Sequence, residues 1–348
     1  MLGFYGWDTD EQQLLPAATR ALTLARLAKA SEGSDAEAAT RLWLKSIVAL
    51  DEGKSPDIRQ LPRLRAVLND PALAREQMDV LTDAAPDLVQ AFALHPGDQR
   101  TALLAEFDSA LRRFNGDETL SRADRLNALV SRVELARIDI PRNEMRPAIP
   151  ASLVAEVREQ VGRIDREVTN PYERQAVISS AAYALSRAGL WTESDELLKA
   201  SLARSHSDFY LMSHLAGNAM KEGRKTDALE WYAEAFNKSE GLATRLQWGS
   251  AYLAALVDVT PGDSARIEAT ATSLFREAGS DPGAFYERGE ASLKRVARVL
   301  AKWNQGPKQA AAVARVKSQL ASVCGKLNGD AAAKASCDNL LRANVNKA

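Results

Sequence analysis

Apolar positions recur at three- and four-residue steps along nearly the whole chain, and nowhere do they alternate with polar ones over a sustained stretch. Residues 10–30 place Leu14, Ala18, Leu22, Ala25 and Ala28 on one predicted helical face, and residues 36–50 continue the pattern through Leu42, Trp43, Ile47 and Leu50. Asp51-Glu-Gly-Lys-Ser-Pro56 stops that run. Pro62, Pro71, Pro86 and Pro96 then punctuate the chain near helix starts and ends; Asp70-Pro71 reads as an N-cap followed by the first helical position. Two longer helices are predicted over 97–114, with Leu103, Phe107 and Leu111 on one face, and over 118–139, with Leu126, Leu129, Val130, Val133 and Leu135. The predicted class is all-α, with no sheet of the Rossmann or thioredoxin kind.

A longer period appears after the Pro-rich stretch 141–150, which is predicted to link an irregular helical bundle over 1–140 to helical repeats over 151–304. Tyr183-Ala-Leu-Ser-Arg-Ala-Gly189 aligns with Gly217-Asn-Ala-Met-Lys-Glu-Gly223 at an offset of 34 residues, the tetratricopeptide period. Ser194 then falls on Ala228, Leu198 on Tyr232, Ser201 on Ala235 and Leu202 on Phe236. Small residues let neighbouring helices approach, and large ones fill the space between them. A third unit begins near 242, slipped by about one residue at Trp248-Gly249 and with a longer turn through Thr260-Pro-Gly-Asp263. Helices over 150–168 and 281–304 are expected to cap the stack, and 305–348 to form a basic helical tail. The expected architecture is therefore antiparallel helical pairs in a tetratricopeptide-like, right-handed array behind the N-terminal bundle.

The net charge of −1, from 45 Lys and Arg against 46 Asp and Glu, hides an asymmetry. Residues 291–348 carry eleven Lys and Arg against two Asp, a local +9, which leaves −10 for the remainder. Lys294, Arg298 and Lys302 recur every four residues as a basic stripe, and the asymmetry suits docking of the tail on an acidic partner or on the chain's own N-terminal half. Nucleic acid is the less favoured partner, because no stacking aromatics interleave the stripe and Trp303 alone stands near it. No apolar run is long enough for a membrane span. Met1-Leu-Gly-Phe-Tyr-Gly-Trp-Asp-Thr-Asp10 lacks a basic n-region, so a chain starting there is expected in the cytoplasm.

No Gly-x-Gly-x-x-Gly or Gly-x-Ser-x-Gly occurs, and Gly53-Lys54-Ser55 has Val48 where a phosphate loop needs glycine. His95, His206 and His214 are scattered, and carboxylate pairs such as Glu156/Glu159 and Asp195/Glu196 sit among Lys and Arg as solvated helical faces. No catalytic residue, metal site or cofactor is predicted. The first helix of each repeat would instead line a groove with Tyr183, Arg187, Tyr210, Lys221, Arg245 and Trp248, a mix suited to gripping an extended peptide. Cys324 and Cys337, thirteen apart, admit two readings. A bridge would close a loop worth about 3 kcal/mol and need an oxidising compartment; otherwise they are two small buried hydrophobes. A thiol–disulfide accessory role, with this pair cycling, is a further alternative, although Cys-x-x-Cys is absent.

Several strings carry a family likeness. They are Thr119-Leu-Ser-Arg-Ala-Asp-Arg-Leu-Asn-Ala-Leu-Val-Ser-Arg-Val-Glu-Leu-Ala-Arg137, Tyr172-Glu-Arg-Gln-Ala-Val-Ile-Ser-Ser-Ala-Ala-Tyr183, Tyr210-Leu-Met-Ser-His-Leu215, Lys238-Ser-Glu-Gly-Leu-Ala-Thr-Arg-Leu-Gln-Trp-Gly249 and Ala284-Phe-Tyr-Glu-Arg288. With the Cys324/Cys337 pair, they resemble the helical C-terminal region of thioredoxin-like proteins of Gram-negative bacteria, over roughly residues 98–342. The resemblance implies a periplasmic protein whose helices accompany a Cys-x-x-Cys thioredoxin domain. This chain has neither that motif nor the strands, so no active-site residue carries over. The repeats and the missing catalytic motifs lead to the expectation of a non-catalytic module that binds a protein or peptide, and the resemblance adds the alternative that it positions a thioredoxin-like domain.

Overall fold

Local chemistry sets the helix boundaries. The Asp70 carboxylate accepts from the amides of Ala72 and Leu73 at 2.9 and 3.1 Å, and Pro71 opens the helix that follows. Asp35, Ser121 and Asp263 cap three further helices in the same way. The computed structural model describes residues 16–51, 53–304, 306–327 and 329–342. Among these the chain is all-α, with 18 α-helices and no strand. It divides into two compact units: the first takes residues up to Val168 together with Ala176–Ser194, the second Thr169–Gln175 together with Asp195 onward.

The first unit begins with α1 (Ala17–Ser31), α2 (Ala36–Val48) and α3 (Leu61–Asn69). Three short helices follow, α4 (Pro71–Glu76), α5 (Met78–Asp83) and α6 (Ala85–Phe92), then α7 (Asp98–Gly116), α8 (Arg122–Ala136) and α9 (Ala151–Glu167). Helix α1 packs on α2, α6 on α2, α7 and α8, and α7 along α8. The predicted faces of α2, α7 and α8 are buried except for the half-buried Val130 and for Leu50, half-buried just beyond α2, and Leu44, Leu64, Leu88, Phe107 and Leu111 lie in the core they share. Helix α1 meets the prediction in part. Ala28 of the expected face is buried, but the buried stripe continues through Leu24 and Ala21, while Ala18, Leu22 and Ala25 are exposed. Leu14 of the expected face lies outside the described residues.

Charge is buried here as well. Arg132 of α8 is 2% exposed, and its guanidinium donates to Asp108 at 2.7 Å and to Glu156 at 2.5 Å. Residues 141–150 pack as a loop within this unit. Arg137 donates to the Glu144 carbonyl at 2.9 Å, and the Trp191 indole to that of Met145 at 2.6 Å.

Helices α10 (Pro171–Arg187) and α11 (Trp191–Ser201) are divided between the units. The second unit continues with α12 (Asp208–Lys221), α13 (Lys225–Lys238), α14 (Leu242–Val259), α15 (Ser264–Ala278), α16 (Glu287–Trp303), α17 (Pro307–Cys324) and α18 (Ala331–Arg342). Here α12 pairs with α13, α13 with α14, α14 with both α15 and α16, α15 with α17, and α17 with α18. Each helix thus meets the next or the next but one.

The 34-residue offset is visible in the turns. Gly189 and Gly223 both take positive φ, +85° and +77°, which only glycine adopts without strain. The following amides, Leu190 and Arg224, return to Leu185 O and Ala219 O at 2.9 and 2.8 Å, the same helix-ending bond in both. Ser194 and Ala228, and likewise Ser201 and Ala235, are fully buried, as close approach of helices requires.

Gly289, in the first turn of α16, lies against the backbone of the 3₁₀ turn Pro282–Phe285: a Cβ there would stand 2.4 Å from the Ala284 carbonyl oxygen. A backbone atom cannot swing aside as a side chain does. Gly289→Ala is therefore expected to lower stability by about 1–3 kcal/mol despite alanine's better helix propensity. A urea midpoint equal to or above the parent's would show that the turn yields.

Candidate functional site

The sequence-predicted groove residues fall in separate settings, each held by its own neighbours. In the first unit, Arg187 forks onto Glu134 at 2.5 and 2.8 Å, and the Tyr183 hydroxyl donates to the same carboxylate at 3.2 Å. The Glu134 hydrogen bond is the main reason the Arg187 guanidinium holds its proton more tightly than usual. Burial, then the Glu134 charge, pushes the Tyr183 phenol up. Tyr183 still shows 38% of its surface.

In the second unit Tyr210 meets Trp248 edge-on, with ring centroids 5.5 Å apart, and leans on Phe209 at 4.9 Å. Together with Trp231 they surround the small cluster Phe209, Met212 and Ala235. The indole nitrogen of Trp248 is buried without a hydrogen-bond partner. Arg245 pairs with both oxygens of Glu277 at 2.8 and 3.1 Å, lies over the Phe236 ring, and donates to the carbonyls of Phe236 and Ser239, closing the end of α13. Five of the six residues thus form a Tyr183–Arg187 pair on Glu134, a Tyr210–Trp248 pair, and Arg245 on Glu277. The sixth, Lys221, ends α12.

Lys221 also acts at a distance. Burial and then the Lys221 charge hold His214 below the ordinary imidazole range. The unfolded chain therefore takes up a proton on His214 at a higher pH than the folded one. The neutral form's contribution to stability is present above pH about 6.5 and is lost as pH falls below it. His214→Gln is expected to flatten the fall in unfolding free energy between pH 7.5 and 5.5; equal slopes for parent and variant would sink this assignment.

Two carboxylates read as solvated turn inward instead. Glu156 serves Arg132, as above. Asp195 is buried, accepting from the Asn218 amide at 2.9 Å and from Arg224 at 2.6 Å. Glu159 keeps its surface role, paired with Arg163 at 3.0 Å. Glu134, Glu277, Phe209 and Trp231 were not singled out in the sequence. Of these only the two aromatics carried a signal, by lying one helical turn or less from the repeat positions.

Along the basic stripe of α16, Lys294 pairs with Glu290 at 2.9 Å and Lys302 with Asp258 at 3.0 Å, while Arg298 remains exposed between them. Cys324 and Cys337 are brought to disulfide distance, with Cα atoms 5.6 Å apart and only 1% and 0% of their surfaces exposed. Among the described residues no His, Cys, Asp and Glu group has metal-site geometry, and no helix is long and apolar enough to cross a membrane. A cavity of about 620 Å³ lies in the first unit, between α1, α2 and the loop to α3. Its floor is Trp43, whose indole donates to Gln60 at 2.6 Å and whose ring lies under Arg63. The chain matches no protein-family model and no curated protein sequence.

Proposed function

We propose that this protein is a non-catalytic, tetratricopeptide-like helical module that binds a protein or peptide, or positions a thioredoxin-like domain, in a thiol–disulfide setting of the bacterial envelope. The observation that carries the reading is the recurrence at 34 residues of one turn and two buried small positions, Gly189/Gly223, Ser194/Ala228 and Ser201/Ala235. Such repetition builds extended binding surfaces rather than enclosed reaction sites. The paired cysteines support an oxidising compartment, and the resemblance to periplasmic proteins supports the periplasm as that compartment. Their burial favours a staple over the alternative of a cycling thiol–disulfide accessory, since exchange requires an attacking thiolate to reach a sulfur.

The test is chemistry-blind selection of a random peptide library on the folded protein, with the glutathione-equilibrated thiol state measured alongside. Saturable peptides that bind the folded chain and not the urea-unfolded one, with the pair oxidised across the glutathione range, fit the reading. Absence of any saturable binder overturns the binding role. A pair that equilibrates with glutathione restores the accessory reading.

A further inference from the structure

Helices α16 and α18 of the second unit leave a groove of about 430 Å³, lined among the described residues by Ala291, Lys294, Arg298, Asn339 and Leu340. Ala291 and the core residue Leu340 give it an apolar floor. Two cations and a side-chain amide form its rim, and none of these lining residues is a carboxylate. The stripe itself is unevenly neutralised: Glu290 holds Lys294 and Asp258 holds Lys302, whereas Arg298 makes no ion pair with a described residue.

We propose that this groove binds an acidic peptide segment, which sets a carboxylate on Arg298 and an apolar side chain on the Ala291–Leu340 floor. The proposal rests on the peptide-binding reading above and supplies the chemistry of the partner. A guanidinium presents two parallel donors to a carboxylate, a match that an ammonium group cannot make. Asn339 places a further amide beside it. The surrounding sequence adds a longer-range attraction, since residues 291–348 sum to +9 in a chain of net −1. A nucleic-acid strand would find the cations but, among the lining residues, no ring on which a base could stack.

The test uses the intact chain and fluorescein-labelled Glu-Leu-Asp-Glu-Leu-Phe-Glu-Asp-Leu, read by anisotropy. Controls are the same peptide with every acidic residue replaced by lysine, and a ten-nucleotide oligo-dT. The acidic peptide is expected to bind at least tenfold tighter than its lysine counterpart, and less tightly as salt rises. Arg298→Glu should weaken it tenfold or more, and so should Ala291→Phe, which fills the floor without changing charge. Lys308→Glu, the same charge change at an exposed residue of α17 outside the groove, should alter binding less than twofold. Unchanged melting curves show that the variants fold. Equal weakening by Arg298→Glu and Lys308→Glu overturns the proposal, as does binding untouched by either groove variant, or displacement of the peptide by oligo-dT. Each of those results leaves peptide binding by the module standing if the selected library peptides still bind. If neither the acidic peptide nor any library peptide binds, both readings fall.

Discussion

Arg132→Ala is expected to lower the unfolding free energy by about 3 kcal/mol, the low end of what losing one partner of a buried ion pair removes. The guanidinium is enclosed in the first unit and joins α8 to α7 through Asp108 and to α9 through Glu156. Without it, the two carboxylates lose their enclosed partner and keep only the more exposed Arg112, which stands 2.6 Å from Asp108 and 3.7 Å from Glu156. Asp108 and Glu156 keep partial access to water, with side chains 41% and 26% exposed, which is why the low end applies. The diagnostic is a second variant rather than a larger truncation. Arg132→Met combined with Asp108→Asn and Glu156→Gln removes the orphaned charges while keeping the volume, and should recover a large part of the loss. A single-variant loss below about 1 kcal/mol in urea denaturation would mean that water replaces the guanidinium freely.

The second large effect concerns the C-terminal pair. Cys324→Ala with Cys337→Ala is expected to cost about 3 kcal/mol, since cross-linking residues thirteen apart removes loop-closure freedom from the unfolded chain. Both sulfurs are enclosed by α17 and α18, so reduction of the folded protein must wait for α18 to open. Trapping of free thiols in dithiothreitol should therefore speed up with urea well below the unfolding midpoint. Rapid reduction without denaturant, at the rate of an exposed model disulfide, would contradict the enclosed site.

What was legible in the sequence is what short-range chemistry decides. Asp70-Pro71 marks a helix start because one carboxylate reaches amides two and three residues on. Gly189 and Gly223 mark turns because each must take positive φ. The ion pairs were illegible for the opposite reason. Arg187 and Glu134 stand 53 residues apart, and no periodicity relates them. Arg245 and Glu277 were hidden likewise, and both groove arginines also tie their own helices to a neighbour. The stretch 141–150 shows the limit of composition. Prolines announce a break in helix, but whether that break swings freely depends on partners such as Trp191 and Arg137, which lie outside it. In α1 the pattern gave the helix and the buried Ala28 but chose Ala18, Leu22 and Ala25 over Ala21 and Leu24, because apolar stripes on adjacent faces look alike until a neighbour covers one of them.

The cysteine bridge also decides how the chain carries mechanical load. Tension applied beyond α18 enters at Cys337 and passes through sulfur into α17, leaving the backbone between the two cysteines slack. In a single-molecule stretching record, those thirteen residue steps, roughly 40 Å of extended chain, stay hidden until a reductant releases them.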